Sequence, residues 1–176
     1  SIIVRDRVNS GEIPGPRLFV SGPFLQKKPY PGTETYRWGI EGAADARKKV
    51  DIVADAGVDV IKLIDQDQMT LEESTAMVDQ AHKRGLKVVA HSHTAAEIRR
   101  GLEIDVDNFE HTGLASAPEY PADVILALQE RVGSAVVRGS PMYWTPTVEG
   151  LWNFTDLRDN PESLDNDCWQ RGLQPD

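Results

Sequence analysis

Val58-Asp59-Val60-Ile61-Lys62-Leu63-Ile64 is an apolar run that carries a lysine where a buried strand should carry none. It follows Gly57 and reads as a strand. Before it, Ala43 to Ala56 sets Ala46, Val50, Val53 and Ala54 at three- and four-residue spacing, a helical pattern that Gly57 ends. After it, Thr70 and Glu73 form a capping-box signature, each side chain satisfying a backbone donor of the other residue. That helix runs to about Arg84 and stops at Gly85, with His82, Lys83 and Arg84 at the negative end of its dipole. Leu86-Lys87-Val88-Val89-Ala90-His91 is the following strand. Strand, helix and strand at this spacing imply a parallel pair joined by a right-handed crossover.

The same alternation extends in both directions. Thr94 and Glu97 repeat the capping box before a short helix to about Leu102. Val106 to His111 is a further strand, Ala122 to about Val132 a further helix, and Tyr143-Trp144-Thr145 one more strand closed by Pro146. Upstream, Arg17-Leu18-Phe19-Val20-Ser21 lies between Gly15-Pro16 and Gly22-Pro23 and is the fifth strand candidate, preceded by a helix from Ser1 to Asn9. Residues 23–39 form a long connection rich in Pro, Gly and Tyr, of a length that tends to be functional or mobile.

A doubly wound sheet and a (β/α)8 barrel both fit this α/β alternation. Neither GxGxxG nor a P-loop follows any strand, so nucleotide-binding open sheets have no support. A full barrel needs about 250 residues and eight strands. On the barrel reading, residues 1–152 are therefore an interior section, about strands 3–7, and residues 153–176 a polar loop or irregular tail of the same domain. An open arc leaves two sheet edges and an inner face to be covered, by a partner chain or by the remaining strands, and a homo-oligomer is expected.

The 176 residues carry 19 Lys+Arg against 28 Asp+Glu, a formal charge of −9, and 40% are hydrophobic. That balance excludes disorder and makes nucleic acid or an anionic membrane an improbable partner. No window reaches the ~18 unbroken apolar residues of a membrane span. Charges arrive within a few residues of Ser1, unlike a signal peptide, and the compartment stays open. Cys168 is the single cysteine, which rules out an intrachain disulfide and a cysteine-based metal cage.

Lys62, His91 and His111 fall at the C-terminal ends of three successive strand candidates, the edge where parallel α/β folds build sites. A single histidine in an apolar run is usually packed core; three strand-end positions together point to a shared pocket. Imidazole suits zinc and similar divalent ions. Burial favours the neutral amine of Lys62, which can form a Schiff base or take up carbon dioxide as a carbamate. The bland alternative is a lysine that snorkels or pairs with Asp59 or Asp65. Glu110 should point away from its neighbour His111 and pair with an outer helix. Thr145 and Thr147 can line a pocket, although turn chemistry around Pro146 accounts for them as well.

Gly11-Glu12-Ile13-Pro14-Gly15-Pro16-Arg17, Gly57-Val58-Asp59-Val60-Ile61-Lys62, Ala81-His82-Lys83-Arg84-Gly85, Val88-Val89-Ala90-His91-Ser92-His93 and Asp107-Asn108-Phe109-Glu110-His111 resemble, in order and spacing, the amidohydrolase superfamily. The branch they resemble is that of imidazolonepropionase and Xaa-Pro dipeptidase-like metal-dependent hydrolases, over about residues 1 to 150. The resemblance implies a (β/α)8 barrel with one or two divalent ions, zinc by default, at its mouth. It implies that Lys62 is the strand-four lysine, carboxylated by carbon dioxide and bridging, and that His91 and His111 are the strand-five and strand-six ligands. The superfamily's first-strand His-x-His pair and eighth-strand aspartate have no counterpart in this chain. His93 is then a pocket residue beside substrate, as is Thr145. The implied activity is hydrolysis of an amide, peptide or cyclic amide C–N bond by a metal-activated hydroxide, on a small-molecule or peptide-like substrate. Two other readings stand beside it: a Schiff-base barrel enzyme using Lys62, and a non-catalytic section with structural histidines.

Overall fold

The computed structural model describes residues 1–110 and 120–136. Its elements are α1 (Ile2–Asn9), β1 (Phe24–Gln26), β2 (Arg37–Gly39), α2 (Ala43–Asp55), β3 (Val60–Leu63), a 3-10 turn (Gln66–Gln68), α3 (Leu71–Lys83), β4 (Lys87–His91), α4 (Ala95–Glu103), β5 (Asn108–Glu110) and α5 (Ala122–Val136). The strands form one parallel sheet in the order β2-β1-β3-β4-β5. The fold is α/β, a section of a (β/α)8 barrel.

Which face each strand residue takes follows from register. Lys62 is paired with Val89, Val89 with Asn108, and His91 with Glu110. Because partners in a ladder share a face and neighbours along a strand alternate, Lys62, Val89, His91, Asn108 and Glu110 lie on one side. Leu25, Ile61, Leu63, Val88, Ala90 and Phe109 lie on the other and join the buried core with Ala46, Val50 and Val53 of α2, Met77, Val78 and Ala81 of α3, and Ile98 of α4. Helices thus cover one face of the sheet. A doubly wound sheet would carry them on both.

Local signals set the helix ends. Both capping boxes form: Thr70 with Glu73, and Thr94 with Glu97. After α3, Gly85 takes φ +72°, its N–H bonds His82 O, and Leu86 N–H reaches back to Ala81 O, a Schellman ending. Asp105, at φ +66°, ends α4 in the same way, with Val106 N–H on Gly101 O.

The inputs to the strands are held by carboxylates. Asp59, just before β3, accepts from Val20 N–H and Arg5 Nη1. Asp107, just before β5, accepts from Val88 N–H, Lys87 Nζ and His82 Nε2. The helix dipole alone therefore does not account for His82, which also bridges to the next strand.

The sheet departs from the expected one on its N-terminal side. Arg17–Ser21 joins no sheet: Leu18 is bracketed by the Asn9 side chain, and Val20 is engaged by Asp59. The first strand starts at Phe24, inside the stretch expected to be a connection, and a second strand at Arg37–Gly39 lies beside it. Two three-residue strands rich in polar and aromatic residues leave no periodicity to read. Tyr143–Thr145 lies outside the described residues, as does the 153–176 tail. No helix among the described residues is long and apolar enough to cross a membrane.

Glu73 ties three segments together. Its buried carboxylate accepts from Lys27 Nζ after β1, from Gly42 N–H at the start of α2 and from Thr70 N–H at the start of α3. Burial alone would raise its pKa, but those donors win and hold it at about 2. A carboxyl depressed from 4.5 to about 2 stabilises the fold fully above pH 4.5, and that contribution is lost as pH falls toward 2. Glu73→Gln is expected to cost roughly 2 kcal/mol at pH 7, in line with hydrogen bonds to a charged group. Urea melts of both proteins from pH 7 to pH 2.5 should show the gap closing as the medium becomes acid; a pH-independent gap would disprove the charge-based account.

Candidate active site

Lys62 is next to last in β3 and His91 is last in β4, on the same face and at the C-terminal edge of the sheet. Lys62 is 5% exposed. Its Nζ donates to Glu110 Oε2 at 2.7 Å. Glu110, expected to face an outer helix, instead shares the inner face with Lys62 and His91. Register, which the sequence does not display, decides the parity of the alternation. The partner proposed for a bland Lys62, Asp59 or Asp65, is likewise replaced: Asp59 binds Arg5 and Val20 on the opposite edge.

Burial pushes the Lys62 amine below the ordinary lysine range, against the opposing pull of Glu110 and, more weakly, Glu97. A lysine so placed is closer to its neutral, nucleophilic form than an exposed one.

The loop after β3 sits over the end of β4. Asp65 holds φ +52°, a left-handed conformation that turns the chain into the Gln66–Gln68 turn. Gln66 is fully buried, and its amide nitrogen donates to His91 O at 2.7 Å and Glu97 O at 3.0 Å. One side chain thereby fixes the end of β4 to the first turn of α4. Ser92 Oγ adds a bond to Glu110 O at 2.6 Å, locking the ends of β4 and β5 together. His93 lies just beyond, its ring edge-on to His91 with centroids 4.9 Å apart. Burial and Asp67 raise the Asp65 carboxyl, partly offset by Arg37 and His93. Burial raises Glu97 as well. Gln66 is absent from the sequence reading and Glu110 is assigned there to an outer helix, since both act through partners 25 or more residues distant.

His111 and Thr145 lie outside the described residues. Among the described residues, no group of three or more His, Cys, Asp or Glu side chains is placed to hold a metal ion. The donor chemistry fits such an ion in part: an imidazole at the sheet edge, a second ring against it, and a buried amine tending to neutrality.

No family model matches the chain, and no curated protein matches it. Solved structures do. A Xaa-Pro dipeptidase with methionine bound in its active site is 24% identical at a TM-score of 0.59, over 73% of this chain and 37% of that one. A protein from Bifidobacterium longum assigned as a prolidase is 29% identical at 0.59, over 73% and 32%. Phenylurea hydrolase B is 19% identical at 0.59, over 80% and 44%. The chain spans less than half the length of these solved chains. Its fold is amidohydrolase-like.

Glu110→Gln should lower the Lys62 pKa further, because burial then meets less opposition. Carbamylation of Lys62 by cyanate, followed peptide by peptide, should speed up several-fold at pH 8 relative to the exposed Lys83. An unchanged rate would mean that Glu110 does not govern the amine.

Proposed function

We propose that the protein containing this barrel section is a metal-dependent hydrolase of C–N bonds, acting on an amide, peptide or cyclic amide. The observation that carries the reading is Lys62 and His91 on one inner face at the C-terminal edge of an amidohydrolase-like fold. The neighbours' names, a dipeptidase, a prolidase and a phenylurea hydrolase, support the bond class.

Lys62, His91 and His111 are the residues that would hold one or two divalent ions, zinc by default. When bound, such ions supply a water acidic enough to react at neutral pH and polarise the scissile carbonyl. The chain's own part is preparation. Burial lowers the Lys62 pKa and so enlarges the share of neutral amine; that amine adds to the carbon of carbon dioxide, an N–C bond forms as one C–O π bond opens to give a carboxylate, and the proton lost from nitrogen passes to Glu110 Oε2, the adjacent acceptor. Gln66 and Ser92 hold the strand ends so that the imidazole of His91 stays in place. His93 lines the substrate side, with Thr145 as a second contact. The loops around this edge carry specificity.

In the full-length protein, Lys62→Ala should lose at least one equivalent of metal and lower turnover by several orders of magnitude. Short carboxylic acids should partly restore the rate by occupying the carbamate's place. Unchanged metal content with a near-normal rate would sink the assignment of Lys62. Trapping of a substrate on Lys62 by borohydride would replace it with Schiff-base chemistry.

A further inference from the structure

Asn108 opens β5 on the inner face of the sheet, two residues before Glu110. The ladder sets it level with Lys62, because Lys62 is paired with Val89 and Val89 with Asn108. Only the short side chain of Val89 stands between the two in that row. Lys62 is long enough to cross it, since its Nζ reaches Glu110 Oε2 on β5 at 2.7 Å. The lysine chain therefore climbs from the level of Asn108 to that of Glu110, about 7 Å along the strand. Asn108 Oδ1 is buried and has no hydrogen-bond partner among the described residues.

A buried amide oxygen without a donor is costly, and the register brings one long, flexible donor to its row, Lys62 Nζ. Carboxylation changes what that nitrogen offers. A neutral amine carries two N–H bonds; one is replaced by the N–C bond to carbon dioxide, and its proton departs. One N–H remains, on a nitrogen made planar by the new carboxylate and buried with Lys62. Glu110 suits it poorly as an acceptor, since a carboxylate beside a carbamate sets two anions together. A neutral oxygen accepts the N–H without that repulsion. Before carboxylation it also leaves the amine able to react, whereas a second carboxylate would favour the unreactive ammonium.

We infer that Asn108 is the positioning residue for carboxylated Lys62: its Oδ1 accepts the one N–H that the carbamate keeps, leaving both carbamate oxygens to the ions. This deepens the hydrolase reading and rests on it. Asn108 acts through Lys62 and touches neither ion nor substrate.

The test supplies the full-length protein with carbon-13 bicarbonate and follows the carbamate carbon by NMR as bicarbonate is raised, with and without zinc. Asn108→Leu, close to asparagine in shape but without the acceptor, should need about tenfold more bicarbonate for half-occupancy, the size expected of one buried hydrogen bond. Half-occupancy within about twofold of wild type overturns the proposal. A second measurement separates positioning from mere structure. In Lys62→Ala with acetate in the carbamate's place no such N–H exists, so adding Asn108→Leu should leave zinc affinity within about twofold. With Lys62 present, the same change should weaken zinc in step with the lost carbamate. An equal loss in both backgrounds makes Asn108 a structural residue and overturns the proposal. Absence of any carbamate signal in the wild-type protein overturns both this role and the Lys62 bridge. Otherwise the two readings fail separately. Carbamate that depends on Asn108, with no amide turnover in the zinc-loaded enzyme, removes the hydrolase and keeps the positioning role; amide turnover with occupancy indifferent to Asn108 does the reverse.

Discussion

At the C-terminal edge of the sheet, where β1, β2 and β3 give way to the segments that follow them, Glu73 accepts from the chain after β1, the start of α2 and the start of α3. The first two lie 46 and 31 residues from it, the third only three. Without a shared anion, three sets of backbone and side-chain donors would compete for water at the site's rim. With it, the 27–42 stretch is held over the sheet, and β2 follows alongside β1. The capping box at Thr70 does double service: it starts a helix and sets the direction of the carboxylate that organises its neighbours.

How far the sequence could be read depended on the range of the interaction. Thr70/Glu73, Thr94/Glu97 and Gly85 are decided within a few residues, and each sits where the pattern placed it. β3 and β4 are apolar runs with no competing reading. Asp105 ends α4 as a glycine would, and a composition-based reading has no reason to expect an aspartate there. Arg17–Ser21 has the composition of a strand, but strand pairing is a tertiary event, and the side chains of Asn9 and Asp59 claimed its backbone groups.

The site divides along the same line. Lys62 and His91 announce themselves as polar residues inside apolar runs. Glu110 was misread because period-two alternation gives relative direction only, and the absolute face comes from register with His91. Gln66 looks like one of several polar loop residues until its bonds to His91 O and Glu97 O are drawn. Asn108 looks like one more polar residue at the start of a strand until register sets it level with Lys62.

The carboxylates at the opposite edge bear on how such a chain is assembled. Asp59 stands at the entrance to β3 and grips Val20 and Arg5; Asp107 stands at the entrance to β5 and grips His82, Lys87 and Val88. Each acid reaches back to residues made earlier, none forward. A strand emerging during synthesis therefore meets its anchor already in place, and the sheet can grow one unit at a time from the N-terminal side. The Asp107 bonds span 19 to 25 residues, one strand-helix-strand unit, whereas those of Asp59 span 39 and 54 and wait on the N-terminal segment.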